Sequence, residues 1–379
     1  MHAFHISFSQ LQIIMTNKNI LAIPLIAILS SCFSAHEKTV PVETLEGHPV
    51  ALDSAYYGSK AFLLCGKLLF TWSKSSEETC YLGILTGDSL TNYQGGFRRG
   101  HGSNEFQDVA LARGKDSSVF IAVLPSGHNQ ILSVIRTGKA KSIEALKDVD
   151  SWTRYDVPDL PPLRCVVDAF LSLSDSTILV PGAPYDDIEH LMTIINFKNQ
   201  TLESLDYWPE DDSHVEGSAK HGVYTDNCEI FWNGNNLFLY VCGEGNYAFI
   251  FTVEGKCVKV MRELYSKHPQ YEYYGDDQIG RLNYIIKNRP TRRLKADVND
   301  QHIYVFLKEK DKDGNIAESW RKSVCGNTVE EYDWEGNLKK KIVLDQLGHN
   351  IKVTDDDRLL YLFSANPDTG EPEIWMYEL

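Results

Sequence analysis

Long apolar runs are scarce in this sequence. The one apolar stretch of ten residues is Ile20–Leu29, and a comfortable bilayer span takes about 20. A spanning helix is therefore excluded as the reading of the chain. No CxxC pair and no regular cysteine spacing occur, which argues against zinc-ribbon, zinc-finger and dithiol redox modules. There is no GxSxG elbow for a serine hydrolase, and no other serine stands out. Positive charge is also in short supply, with 37 basic against 52 acidic residues and a net charge of −15. Without a long basic block, a nucleic-acid partner is not expected.

At the N-terminus, Met15–Cys32 reads MTNKNILAIPLIAILSSC. Lys18 supplies a positive flank and Ile20–Leu29 an apolar core, the layout of an export signal. Met15 begins a complete signal by itself, so residues 1–14 are read as upstream of the working start, and 1–31 (15–31 in the working form) as a signal peptide. The run ends in Leu29-Ser30-Ser31-Cys32, which resembles a bacterial lipobox. That resemblance implies cleavage before Cys32 and its diacylation, tethering the protein to a bilayer surface in the cell envelope through a leash over 32–38. An ordinary secretory signal that happens to contain a cysteine is the alternative. Seven cysteines then remain. Most are expected to be free, with Cys65–Cys80 and Cys242–Cys257 the pairs in question.

The rest, 39–379, is repetitive. Thr354–Phe363, TDDDRLLYLF, couples an acidic turn to a short apolar run, the pattern of a hairpin feeding a strand buried on both faces. Runs of the same kind begin near Phe62, Val119, Thr177, Leu237, Ile303 and Leu359, at intervals of 57, 58, 60, 66 and 56 residues. Six strand-only repeats of this size predict an all-β, six-bladed propeller with four-stranded antiparallel blades. Pro49–Asp53 is expected as the inner strand of blade one. Tight turns are expected at Gly87-Asp88, Thr137-Gly138, Lys198-Asn199, Glu254-Gly255 and Glu335-Gly336. The sixth copy stops at a third strand, Ile374–Leu379, so Thr39–Leu45 is expected to supply its fourth and close the ring. Two insertions break the period: Arg262–Pro290, parts of which read as a short helix, and Lys308–Asn327.

Before the second repeat stands Gln94–Phe106, QGGFRRGHGSNEF. With the lipobox and six periods, Gly100, Gly102, Asn104, Glu105 and Phe106 resemble the TolB-like six-bladed propeller lipoproteins of Gram-negative bacteria, with Ser103 where that family often has proline. The resemblance implies an exported propeller and brings no catalytic residues or cofactor. Read from the residues alone, the glycines either shape a turn or, with Arg98, Arg99 and His101, form an anion nest.

A polar residue stands at or before each expected inner strand: His48, Glu105, Arg164, His221, Arg292 and His349. They are the candidate ring around one channel mouth. Asp53, Asp108, Asp168, Asp226, Asp297 and Asp355 follow as expected turn caps. Asp211-Asp212 and Asp276-Asp277 are expected to be solvated. Tyr271, Tyr273 and Tyr274, with Trp320, are candidates for stacking on a glycan or packing on a protein partner. A non-catalytic binding role is expected. The alternative is a metal-dependent hydrolase or lactonase at the channel mouth, which would need Glu105, Asp226 and Asn227 or Asn350 to converge.

Overall fold

The computed structural model describes residues 40–379 except 55, 57–60, 65, 73–76, 115, 125–130, 158–162, 166–169, 185, 186, 188, 213–216, 226, 227, 244, 277–281, 288–291, 310–324 and 367, with only the backbone of 62, 163–165, 218, 273–276, 282–286, 292, 293 and 309. Six antiparallel sheets follow one another as propeller blades. Blade one runs Ala61–Leu64, Leu68–Trp72, Cys80–Thr86, Ser89–Gly95 from inside out, and blade two Asp108–Arg113, Ser118–Leu124, Ser133–Lys139, Thr153–Asp156. Blade three has a split inner edge, Leu163–Cys165 and Leu171–Ser174, then Thr177–Pro184, Met192–Asn196 and Thr201–Ser204. Blade four is Cys228–Trp232, Phe238–Cys242, Asn246–Glu254, Cys257–Lys267, and blade five Arg292–Val298, His302–Glu309, Gly326–Asp333, Leu338–Gly348. Blade six has Asn350–Val353, Leu359–Ala365 and Pro372–Glu378.

The apolar runs are continuous because each blade is covered on both sides. Along Leu68–Trp72, Leu68 and Phe70 pack toward blade two, while Leu69 packs toward blade six. Along His302–Glu309, Tyr304 and Phe306 join blade six, and Ile303, Val305 and Leu307 join blade four. Six such interblade cores close the circle, each built from strand-alternating side chains of two neighbouring blades. Each fully buried large apolar side chain contributes about 1.5–3 kcal/mol.

The hairpin turns at Gly87, Gly255 and Gly336 carry φ of +55°, +62° and +80°, the left-handed region that a tight turn reserves for glycine. Several expectations are corrected. The inner strand of blade one is Ala61–Leu64, and Pro49–Asp53 does not take that place. A turn through Gly66, φ +70°, lets a second apolar strand start at Leu68. Blade two extends past a short helix, Ile143–Lys147, to reach its outer strand at Thr153–Asp156.

Ring closure is made by N-terminal residues, but two residues do it and they are not Thr39–Leu45. His48–Pro49 pairs antiparallel with Trp375–Met376 as the outermost strand of blade six. Val42–Leu45 lies parallel on Lys341–Leu344 of blade five, capping its outer edge. The Arg262–Pro290 insertion holds no helix among its described residues. It prolongs the outer strand of blade four to Lys267 and then forms a hairpin, Tyr271–Asp276 with Leu282–Ile286. Cys80, Cys228, Cys242, Cys257 and Cys325 form no disulfide, in line with the expectation that most cysteines are unbridged.

Candidate functional site

Inner strands of successive blades lie side by side about the axis. Where these strands end, before their first hairpin turns, they enclose a cavity of about 480 Å3. All six blades contribute: Leu63–Leu64, Leu111–Gly114, Phe170–Ser172, Ile230–Gly234, Asp297–Asp300 and Lys352–Asp355. Aromatic Phe170, Phe231 and Trp232 stand beside Ser172, Asn233 and Asn299.

Ion pairs in and beside this site cross blade boundaries. Lys352 Nζ of blade six lies 3.0 Å from Asp297 Oδ1 of blade five, whose Oδ2 accepts the Val353 amide at 2.7 Å. Lys295 Nζ of blade five lies 2.8 Å from Glu229 Oε1 of blade four, whose Oε2 accepts the Ala296 amide at 3.0 Å. Arg113 Nη1 of blade two reaches Asp355 Oδ1 of blade six at 2.5 Å, across the opening. Burial alone would raise the Glu229 carboxyl, but the Lys295 and Lys352 ammonium groups outweigh it and hold the group below its usual range. Burial dominates at Asp297 and pushes its carboxyl up, with Lys352 and the Val353 amide offsetting only part. The walls are thus cross-braced by ion pairs, around a pocket of amide, hydroxyl and aromatic surface with the Asp300 carboxylate at its edge.

This cavity is at the opposite end of the inner strands from the ring of polar residues expected in sequence, and His48, Glu105, His221 and His349 take separate places. His48 pairs with Met376 on the outer edge of blade six and is exposed. His221 is fully buried in a helix, Gly217–Thr225, its ring stacked 6.3 Å from that of Trp208. His349 is half-buried at the start of blade six, where burial and Lys308 push its imidazole down to about 4, so it is neutral near pH 7. Arg164 and Arg292 take strand positions opposite Ala183 and Glu309, and their side chains lie outside the described atoms. Glu105 turns back on its own loop: its Oε2 accepts the Gly102 amide at 3.0 Å. That carboxylate fills the place an anion would take, so the glycine-rich segment is a turn. Phe106, 1% exposed, anchors it against Phe97 and Trp152.

Tyr271 is 6% exposed and its hydroxyl donates to Asp211 Oδ2 at 3.2 Å, so it is no open stacking platform. Asp211 is likewise buried, its side chain 2% exposed, where a solvated loop was expected. The side chains of Tyr273, Tyr274 and Asp276 are outside the described atoms, and Cys32, Cys65, Asp168, Asp226, Asn227, Asp277 and Trp320 lie outside the described residues. Among the described residues, no three His, Cys, Asp or Glu side chains gather as metal ligands. The axial site was missed because its signal is subtle: charged residues at alternating places inside short inner strands, Glu229 in CEIFW, Lys295 and Asp297 in RRLKADV, and Lys352 in NIKV.

Fold and cavity together define a six-bladed β-propeller with an axial pocket. No protein-family model and no curated protein matches the sequence. Among solved structures, the chain is similar to a structural-genomics protein of unknown function from Bacteroides thetaiotaomicron, at 11% identity and a TM-score of 0.45, covering 90% of this chain and 75% of that one. It is also similar to the β-propeller domain of Cps50 (Swd1) from Myceliophteria thermophila, at 10% identity and a TM-score of 0.42, covering 87% and 99%. An oligogalacturonate lyase in complex with manganese aligns at 12% identity and a TM-score of 0.39, covering 84% and 76%. Likeness at this level carries no functional argument.

Proposed function

We propose that this chain is an envelope lipoprotein, tethered through acylated Cys32, whose propeller binds a glycan or a protein segment at its axial cavity without chemistry. One observation carries the binding half: six blades build a single pocket whose Asp297 and Asp355 are each tied to a cation from another blade, with the Glu229–Lys295 pair bracing blades four and five beside it. Carboxylates held this way brace the walls and are poorly placed as nucleophile or base. Phe170, Phe231, Trp232, Ser172 and Asn233 line the cavity, the mixture of an apolar pocket with a few polar groups. The address rests on Leu29–Cys32, and the TolB-like reading on Gly100–Phe106.

Glycan and peptide arrays probed with the full chain test the binding role. A hit at this site is expected to weaken roughly tenfold in Arg113→Ala, through loss of a charged hydrogen-bond donor and of the Asp355 brace. Stoichiometric calcium or zinc in the purified protein would instead favour the metal-dependent hydrolase. Anchoring is tested separately. Cys32→Ser is expected to abolish metabolic labelling with radioactive palmitate and to move the protein from the membrane to the soluble fraction. Retained labelling would refute the anchor.

A further inference from the structure

A second cavity, of about 430 Å3, opens beside blade four. It lies at the entry end of Cys228–Trp232, near Lys267 and His268, whereas the axial cavity lies at the exit end near Trp232. At its wall, the buried Asp211 carboxylate accepts the hydroxyls of Tyr224 at 3.0 Å and Tyr271 at 3.2 Å, with Lys220 Nζ 3.5 Å from its other oxygen. Two hydroxyl donors and an ammonium hold this group as the anion, which only accepts. Tyr224 has one hydroxyl proton and gives it to Asp211. Its 2.7 Å contact with His268 Nδ1 therefore needs the proton on Nδ1.

The imidazole plane is fixed as well, since the Tyr247 ring lies 4.2 Å from it. Burial lowers the His268 pKa and keeps the ring neutral, despite the opposing pull of Asp211, Glu263 and Asp212. Nε2 then carries a lone pair, on a side chain that lines the cavity, and it makes no hydrogen bond with any described residue. An Asp–Tyr–His relay that fixes a tautomer and leaves one acceptor facing a cavity is the arrangement of a directed binding group.

We propose that this cavity is a second binding site, for a small organic ammonium ligand that donates an N–H to His268 Nε2. Glu210 and Asp212 on the same wall offer further acceptors; Lys287 is neutralised by Glu272 and Lys220 by Asp211, which leaves Lys267 as the opposing charge among the described lining residues. The site is independent of the axial cavity and of the function proposed for it. Protonating His268 would remove the acceptor and add a like charge. The groups facing the ring are Asp211 and Asp212 from the loop, Lys220 and Tyr224 from the helix, and Glu263 and Tyr247 from blade four.

The experiment is calorimetric titration of the full chain with putrescine, alongside nitrogen-15 NMR of its histidines. The expected result is saturable binding that fades as pH falls through the His268 titration, weakens roughly tenfold in His268→Gln, and accompanies an Nδ1–H signal in the free protein. Tyr224→Phe is expected to weaken binding several-fold and convert the signal to a tautomer mixture, a readout that holds even where His268→Gln folds poorly. No saturable binding, unchanged affinity in His268→Gln, an Nε2–H tautomer in the free protein, or binding lost instead in Arg113→Ala would each overturn the proposal.

Discussion

Asp297→Ala is expected to destabilise the propeller by about 3 kcal/mol, read as a shift in guanidinium denaturation of the full chain. The Lys352 side chain is 6% exposed and Asp297 13%, so the pair lies almost wholly out of water. Removing one member of such a pair leaves a buried charge uncompensated, at about 3–5 kcal/mol. The lower figure applies because Glu229 also interacts with Lys352 and would still compensate part of its charge. Against a total stability of about 5–15 kcal/mol, this is a large share.

Lys352→Met gives the complementary result. It strands the Asp297 carboxylate, whose pKa burial already raises. A raised carboxyl pKa contributes stability that is present below the unfolded value, near 3.9, and lost as pH rises through the folded one. Lys352→Met should therefore be milder at pH 5 than at pH 8. The double variant Asp297→Leu with Lys352→Met should recover most of the loss, because a well-packed apolar pair can replace a buried ion pair at little cost. An Asp297→Ala cost below about 0.5 kcal/mol would show the pair to be solvated and of surface strength.

The fold was legible because two-faced burial writes itself into consecutive residues. No amphipathic alternation is needed when Leu69 and its neighbours Leu68 and Phe70 all meet another blade. The turns at Gly87, Gly255 and Gly336 were legible for the same local reason, a positive φ that a side chain resists. Ring closure was legible in kind but not in register. His48–Pro49 is two residues long, and Val42–Leu45 adds to blade five in parallel, with no hairpin to announce either pairing. The axial site depended on side chains from six strands meeting at their exit ends. The polar residues before each strand looked equivalent along the chain, yet His48 belongs to an outer edge and His221 to a helix packed under Trp208. Sequence spacing locates a residue along a strand; it does not say which edge of which blade that strand occupies.

Asp357→Ala is expected to cost about 3 kcal/mol or more. The acidic turn TDDDR was readable as a turn, but its carboxylates have separate tasks. Asp355 reaches Arg113 across the channel, and Asp356 accepts from Thr354 and Arg358 within the loop. Asp357 ties blade six to blade five: its Oδ1 accepts from Tyr304 Oη at 2.6 Å and Asn299 Nδ2 at 2.5 Å, and its Oδ2 contacts His302 Nδ1 at 2.7 Å. Tyr304 and Asn299 are 1% and 6% exposed, so truncation leaves the Asn299 amide donor unsatisfied, at about 1–3 kcal/mol, and Tyr304 with Glu331 as its remaining acceptor. Asp357 also sits at φ +60°, where alanine is strained by about 1–2 kcal/mol. Asp357→Gly removes that strain and still loses the three contacts, so the difference between the two variants reads the backbone and the remainder reads the hydrogen bonds. Burial first, then the bond to Asp357 and the nearby Glu331, raise the Tyr304 phenol. A raised phenol contributes stability present below its unfolded pKa, about 10, and lost as pH climbs toward the folded value. The wild-type protein should accordingly weaken above about pH 10, and Asp357→Ala should weaken less steeply there, because one cause of the raised phenol is gone. A denaturation midpoint unmoved in both Asp357→Ala and Asp357→Gly would show that the blades are held by their apolar cores alone.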